Sequence, residues 1–178
     1  MFLKGIKDKF KRKAGLKYLN QSKKNKVACS RVNKGVRKIG CIVDLDRVKD
    51  AAMFNQFITE FSLQPNGLKI IGYKKEQDKN SPYATPVFSE NDLGWGGKIV
   101  NSYALEFLSK EYDILISYYT DDNLVLQLMT LQSKARIKVG FGEIDKNLND
   151  LILNTPITDF NIFKNELRKY LSVLGEIK

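Results

Sequence analysis

The apolar positions of this chain change their spacing several times, and each change marks a predicted element. "KIGCIVDLD", residues 38–46, is a continuous apolar run ended by two carboxylates, which indicates a strand buried on both faces. Residues 47–62 then place apolar side chains three or four apart, which predicts a helix with Asp46 as its N-cap. "LKIIGY", residues 68–73, predicts a second strand. These three segments form a predicted βαβ unit.

The same alternation returns in the second half of the chain, after a polar connection that spans residues 74–98. The predicted elements are a short helix over 101–110, a strand over 112–119, a helix over 121–133 capped by Thr120 or Asp121, a strand over 136–141, a last strand over 150–154 and a closing helix over 159–174. Strands that alternate with helices in this order predict an α/β fold, with a three-layer, mostly parallel Rossmann-like sheet.

The amino-terminal segment follows a different pattern. Apolar residues recur at spacings of three or four, which predicts an amphipathic helix whose other faces are basic and which becomes ordered against the domain or a partner. This stripe consists of Leu3, Ile6, Phe10, Ala14 and Tyr18. From residue 20 to 38 the apolar period is lost, as in a loop or an extended arm. We therefore predict a basic N-terminal helix and arm over residues 1–38 and a Rossmann-like α/β domain over residues 39–178.

The charge of the chain is concentrated in that segment. The net charge of the 178 residues is +10, yet residues 1–40 carry 14 Lys and Arg against Asp8 alone, and the remainder is slightly acidic. Such asymmetry predicts a polyanionic partner, either nucleic acid or an anionic membrane surface, with a merely solvated tail as the alternative. The residues predicted to contact RNA phosphates are Lys7, Lys9, Lys11, Arg12, Lys13, Lys17, Lys23, Lys24, Lys26, Arg31, Lys34, Arg37 and Lys38.

The composition of the chain limits the catalytic and metal-binding groups that it can offer. The chain has no His, so it lacks the commonest general base and the commonest transition-metal ligand. Cys29 and Cys41 are expected to be free thiols. No glycine-rich phosphate-binding motif follows a predicted strand, and we predict no catalytic residue, cofactor or metal. No apolar run is long enough to span a bilayer and the amino terminus lacks a signal-peptide core, which predicts a cytoplasmic protein.

Polar residues at the carboxyl ends of the predicted strands define a candidate ligand crevice, because parallel sheets bind ligands at that edge. Its members are Asp44, Asp46, Tyr118, Thr120, Asp121 and Gly140. Paired carboxylates there could hold Mg²⁺ or act as a base. We favour the alternative, in which Asp46 and Asp121 only cap helices. Trp95 could stack on a base or sugar, but a single aromatic residue in a long loop more often fixes that loop to the domain.

Two resemblances bear on function. Residues 112–141, "YDILISYYTDDNLVLQLMTLQSKARIKVGF", resemble the strand–helix–strand of the amino-terminal Rossmann-like domain in heptosyltransferase-type glycosyltransferases. Across residues 38–174, the order "KIGCIVDLD", "ENDLGWGGK", "YDILISYY" and "KVGF" is similar to an uncharacterised family of small basic Bacteroidetes proteins, known only as a domain of unknown function. That second resemblance implies a cytoplasmic, single-domain α/β protein and supplies no activity.

The leading hypothesis is a non-enzymatic RNA-binding protein, associated with the ribosome, whose domain positions a basic arm on the phosphates of RNA, including ribosomal RNA. One alternative is a nucleotide or sugar-nucleotide binding domain, a degenerate half of a glycosyltransferase. A further alternative, which we favour less, is a peripheral membrane protein held by its amphipathic basic helix.

Overall fold

A computed structural model describes residues 2–24, 35–76 and 84–177, which form one sheet with helices on both faces. The strands are β1 (Ile39–Asp44), β2 (Leu68–Tyr73), β3 (Val87–Phe88), β4 (Glu111–Tyr118), β5 (Lys134–Phe141) and β6 (Leu151–Leu153). The α-helices are α1 (Phe2–Lys24), α2 (Gln56–Glu60), α3 (Ser102–Ser109), α4 (Leu124–Gln132) and α5 (Phe160–Val173). Three 3₁₀ turns lie at Ala51–Asn55, Glu90–Asp92 and Trp95–Gly97.

The six strands lie in the order β3-β2-β1-β4-β5-β6, and each neighbouring pair is parallel. This is the strand order of Rossmann-type sheets, in which the chain starts at the centre and reverses direction once. The predicted three-layer α/β fold is therefore confirmed. The pattern missed β3, because a strand of two residues is too short to show a period of two.

Each face of the sheet carries its own apolar core. Alternate residues of β1 and β4, such as Cys41 and Ile116, pack with α2 and α5 on one face. Their neighbours in the chain, such as Ile42 and Leu115, pack with α3 and α4 on the other. All six residues of β1 are buried, as expected for a central parallel strand that is covered on both sides.

Helix α1 joins the second of these cores, through residues outside the predicted apolar stripe. Leu19 is 2% exposed and packs with the residues of α4, and Gly15 is buried against Leu124 and Leu128. The predicted stripe instead faces largely outward, since Ile6, Phe10 and Tyr18 are exposed, and Leu3 lies outside the described side chains. The predicted stripe is therefore not the face that packs on the domain, and its contact with a partner stays a prediction. Gly15, with no side chain, lets the helix backbone approach the domain closely.

Two predicted helix caps are also wrong. The segment after β1 turns sharply over Leu45–Arg47, so the helical stretch begins at residue 51, where the carboxylate of Asp50 accepts a hydrogen bond from the Ala52 N–H at 2.7 Å. Helix α4 begins at Leu124, and its N-cap is Asn123. Asp46 and Asp121 lie too early in the chain to cap these helices. The predicted strands at 68–73 and 112–119 agree with β2 and β4 to within one residue.

At the amino ends of the strands, a buried ion-pair cluster fixes the start of β1. The guanidinium of Arg136 pairs with Glu176, near the carboxyl terminus, and with Asp113. Asp113 also accepts hydrogen bonds from the backbone N–H groups of Arg37 and Lys38, each at 2.9 Å. This buried cluster therefore connects β1, β4, β5 and the segment after α5.

Candidate functional site

The carboxyl ends of β1 and β4 bring three of the predicted crevice residues together. Asp44 is 3% exposed and accepts a hydrogen bond from the Asp46 N–H at 3.0 Å. Burial raises the pKa of Asp44, and the carboxylates of Asp46 and Asp121 raise it further, while the Asp46 N–H and the charge of Arg47 oppose the rise. The strand order makes this point the switch of the sheet, where Rossmann-type proteins bind their ligands.

Several side chains of the protein contact each other across this switch point. Arg47 pairs with Asp121 through two hydrogen bonds, with Nη2–Oδ1 at 2.6 Å and Nε–Oδ2 at 3.3 Å, and so bridges the loops after β1 and β4. Leu45 packs directly over Gly72, where no larger residue would fit. Asp46 accepts a hydrogen bond from the Lys75 N–H at 2.9 Å. Among the described residues, these polar groups connect the loops after β1, β2 and β4.

The other predicted crevice residues do not join that cluster. The Tyr118 side chain is fully buried in the first core, and its hydroxyl donates a hydrogen bond to the Ile157 carbonyl at 2.8 Å. Gly140 lies against the side chains of Asn149 and Ile144. Thr120 is half-buried in the loop between β4 and α4. The contacts of Tyr118 and Gly140 therefore account for their positions.

Glu90 connects three parts of the molecule that the sequence pattern had not linked. Its Oε1 accepts hydrogen bonds from the Tyr73 hydroxyl at 3.1 Å and from the Asn123 amide at 2.7 Å. Its Oε2 pairs with Arg12 of α1 at 3.3 Å. Asn123 could have been found from the sequence, because Asn is a preferred N-cap and it directly precedes the apolar run of α4. Glu90 carries no such local signal.

An open cavity of about 640 Å³ lies at the carboxyl ends of β5 and β6. Its lining comes from residues 142, 143, 146, 152 and 154–156 and includes the charged side chains of Glu143 and Lys146. The volume is in the range of small-molecule sites, and the position is at the ligand-binding edge of the sheet. The six predicted crevice residues lie elsewhere along this edge.

Helix α1 displays the predicted basic residues on its solvent side. Lys7, Lys9, Lys13 and Lys17 are exposed, and no carboxylate within residues 2–24, 35–76 and 84–177 pairs with them. Lys9, Lys13 and Lys17 recur every four residues and so form a row with about 6 Å between neighbours along the helix axis. The row faces away from Leu19, which packs on α4.

Two other basic residues of α1 hold the helix to the domain. Lys23 is largely buried, and its Nζ lies 2.8 Å from Asp145 and 3.1 Å from the amide oxygen of Gln127. This hydrogen bond, together with one from the Asn147 N–H, lowers the pKa of Asp145 below its usual range. Arg12 pairs with Glu90, as described above. Both residues were predicted to contact phosphates, and both have carboxylate partners within the chain.

The remaining predicted contact residues fall into three groups. Lys11 is partly buried on α1. Arg37 and Lys38 precede β1, at the edge of the sheet opposite to Glu90 and Arg12. The side chain of Lys24 and the residues Lys26, Arg31 and Lys34 lie outside the described part of the chain. The structure therefore places one compact basic surface, the exposed side of α1, and separates it from the last two basic residues of the predicted arm.

Exposed aromatic residues lie where a turn of the domain contacts α1. The Trp95–Gly97 turn packs against α1, because a Cβ placed on Gly97 would lie 3.4 Å from the Cα of Gly15 and 3.1 Å from the ring of Tyr18. Gly97 has φ of 80°, which favours glycine. The Trp95 side chain at the start of this turn is 58% exposed, and that of Tyr18 is 41% exposed. Trp95 was expected to fix its loop to the domain, and its exposure contradicts that interpretation.

Two kinds of site are absent from the described residues. No group of three or more Cys, Asp and Glu side chains in these segments has the geometry to hold a metal ion. None of the helices described above is both long enough and apolar enough to cross a membrane. Cys41 is a buried free thiol, and burial raises its pKa strongly.

The fold and the exposed charges define a Rossmann-like α/β protein with a basic amino-terminal helix packed on one face. A family model described as "Family of unknown function (DUF6913)" matches residues 7–174, and the chain belongs to this family. The match begins within α1, so the family model covers most of this helix. Searches of curated proteins and of solved structures returned no match.

Proposed function

We propose that this protein is a non-enzymatic RNA-binding protein of the cytoplasm, associated with the ribosome, and that the exposed side of α1 binds the phosphates of RNA, including ribosomal RNA. One observation carries the proposal: a row of exposed lysines, without carboxylate partners among the described residues, lies on a helix that the domain holds in place. Fixed lysines of this kind gain affinity by releasing the counterions of a polyanion.

The way α1 is fixed strengthens the proposal. Lys23 and Leu19 anchor its second half to α4, and Arg12 anchors its first half through Glu90. A helix that is already ordered loses less conformational entropy when it binds than a disordered arm would. Phosphate contacts supply affinity without sequence preference, so the partner is expected to be recognised by its backbone.

The test compares two triple variants with the same change of net charge. Lys9, Lys13 and Lys17→Gln removes the row on α1, whereas Lys49, Lys110 and Lys134→Gln removes three exposed lysines elsewhere. Affinity for a ribosomal RNA fragment is measured over a range of salt concentrations. The α1 variant should bind more weakly, and its slope of log affinity against log salt should fall by about 2 to 3, at 0.7 to 0.9 per phosphate.

The control variant should keep the slope of the parent protein. Equal losses in both variants would show that net charge alone drives binding and would contradict a site on α1. Cosedimentation with ribosomes tests the association directly, because the α1 variant should be lost from the ribosomal fraction while the control remains there.

The cavity beside β5 and β6 favours a second candidate, a nucleotide or sugar-nucleotide binding domain. Glu143 and Lys146 offer both an acceptor and a cation at the edge where such ligands bind. A nucleotide sugar at a hundred times its dissociation constant should stabilise the fold by about 2.7 kcal/mol, and a thermal shift would report it. The shift should disappear in Lys146→Gln, with Lys134→Gln as the control.

A further inference from the structure

The loop between β5 and β6, residues 142–150, contributes to two parts of the molecule. Glu143 and Lys146 line the open cavity at the carboxyl ends of these strands. Asp145, which lies between them in the chain, pairs with Lys23 of α1, and the distance from Oδ2 to Nζ is 2.8 Å. The wall of the cavity and the contact that holds the second half of α1 therefore belong to one short segment.

This loop is packed closely around Asp145. Ile144 and Leu148 are 3% and 2% exposed and belong to the same core as α3 and α4. The Oδ1 atom of Asp145 accepts hydrogen bonds from the backbone and side-chain N–H groups of Asn147, each at 2.9 Å. The Leu148 N–H donates a further hydrogen bond to the Asp145 carbonyl at 3.0 Å. With its two carboxylate oxygens, Asp145 thus fixes the shape of the loop and binds the ammonium group of Lys23.

The cavity offers groups that suit a small molecule with both a phosphate and hydroxyl groups. Lys146 and Glu143 are exposed, and neither forms an ion pair within the part of the chain that the structure describes. Lys146 can bind a phosphate, and the Glu143 carboxylate and the Asn154 amide can bind sugar hydroxyls. Thr155, in the wall of the cavity, is buried, and its Oγ1 has no hydrogen-bond partner among the described residues. A free amino acid would match the two charges as well, but it would fill only part of a cavity of about 640 Å³.

We infer that the binding of a phosphorylated, hydroxyl-bearing small molecule in this cavity is coupled to the docking of α1 through Asp145, so that each strengthens the other. This inference rests on the second candidate function, the binding of such a ligand beside β5 and β6. The sign follows from the contacts, because the ligand and Lys23 both bind the loop in the shape that Asp145 and Asn147 fix. Coupling between two sites is reciprocal, so the ligand favours docked α1 and docked α1 favours the ligand. The ligand thereby regulates how firmly the basic surface of α1 is held.

Hydrogen exchange of the full-length protein measures this coupling from the side of the ligand. The probes are glucose 1-phosphate, uridine diphosphate glucose and inorganic phosphate, and a thermal shift identifies those that bind. A bound sugar phosphate should slow the exchange of the α1 amides by about fivefold or more, the lower end of the range for coupled sites. Inorganic phosphate, which lacks the hydroxyls, should bind more weakly. Lys146→Gln should remove the binding and the effect on α1, and should leave the exchange of α1 without ligand unchanged.

Substitutions at the ion pair measure the same coupling from the side of α1. Lys23→Met removes the ion pair and should weaken the binding of the sugar phosphate by about fivefold or more. Asp145→Asn is the second variant, because it removes the charge but keeps an acceptor for the Asn147 N–H, and it should show a similar loss. Lys17→Met is the matched control, since Lys17 is exposed on the same helix and has no carboxylate partner among the described residues. It should bind the probe like the parent protein.

The outcomes separate this inference from the functions proposed above. Sugar-phosphate binding that neither slows exchange in α1 nor weakens in the two ion-pair variants would overturn the coupling and leave the second candidate function intact. Slower exchange with unchanged binding in both variants would exclude Asp145 as the connection, and faster exchange would contradict the sign. Equal affinity for inorganic phosphate would contradict the ligand class. Binding of none of the probes would overturn both the inference and the second candidate function, whereas RNA binding by α1 is measured independently.

Discussion

Two charged regions of this protein differ in whether their charged side chains form ion pairs. At the carboxyl ends of β1 and β4, charged and polar groups pair within the chain, as Arg47 does with Asp121. On the outer side of α1, lysines such as Lys13 and Lys17 are exposed and have no carboxylate partner among the described residues. The first region is where Rossmann-type folds place their ligands, and here its ion pair bridges two loops. The second region is the one that carries the proposed binding surface.

The comparison of the two regions requires that α1 is packed firmly on the domain. Weakening that contact is expected to give the largest change in the free energy of unfolding. Leu19→Ala should lower the free energy of unfolding by about 2 to 5 kcal/mol, because it leaves a cavity between α1 and α4. Leu16→Ala, three residues away on the same helix and 43% exposed, should change it by less than about 0.5 kcal/mol. Urea denaturation measures both. Similar values for the two variants would mean that α1 is not held as described.

The second prediction tests whether the strand-end region serves stability. Asn123 caps α4 by accepting hydrogen bonds from the N–H groups of Val125 and Leu126, at 2.9 and 3.1 Å. Asn123→Ala should therefore cost about 0.5 to 2 kcal/mol for the cap, with a further loss from the hydrogen bonds to Tyr73 and Glu90. Thermal denaturation provides the measurement. Unchanged RNA affinity at a temperature where the variant is folded would separate this region from α1.

The third prediction concerns the ion pair across the switch point. The side chains of Arg47 and Asp121 are 55% and 46% exposed, so solvent screens their attraction. Arg47→Gln should cost at most about 1 kcal/mol, and less at high salt. Lys49→Gln, an exposed residue nearby, is the control and should change nothing measurable. A loss of several kcal/mol in Arg47→Gln would show that the pair does more than bridge two loops.

The smallest change in stability at neutral pH is expected from the substitution of Asp44. The test is whether that substitution raises or lowers the stability. Burial raises the pKa of Asp44 in the folded protein, so the protonated form stabilises the fold in acid and this contribution is lost as the pH rises through the folded pKa. Asp44→Asn should therefore be slightly more stable than the parent protein at neutral pH. The difference should close below the ordinary aspartate pKa of about 4. A variant that is less stable at neutral pH would contradict a raised pKa.

Local patterns predicted the strands well and the helix starts poorly. The buried run of β1 and the alternation of strand and helix follow from burial, which acts on every residue of an element, so many positions carry the same signal. A helix start depends on one hydrogen-bonding side chain, and several neighbouring residues can supply it. Asp121 and Asn123 are both good caps by type, and only the path of the chain after β4 selects Asn123.

The candidate site could likewise be predicted from the sequence only in part. The excess of positive charge near the amino terminus was visible in the composition, and so was Trp95 as an unexplained aromatic residue. The contact between α1 and the Trp95–Gly97 turn was not visible, because residues 15 and 97 are far apart in sequence and meet through a close approach of two glycines. The pairing of Arg12 with Glu90 and of Lys23 with Asp145 was equally hidden, since each joins distant parts of the chain.

By itself, the sequence determined the α/β class, the layered sheet and the concentration of positive charge in the first forty residues, because burial periodicity and net charge are sums over many residues. The tertiary structure decided which face of α1 is buried, which lysines remain exposed and that the Trp95–Gly97 turn packs against the buried face. These outcomes rest on single long-range contacts, such as Gly15 with Gly97, and each depends on how closely two backbones can approach. Periodicity along one segment contains no information about the element that will pack against it.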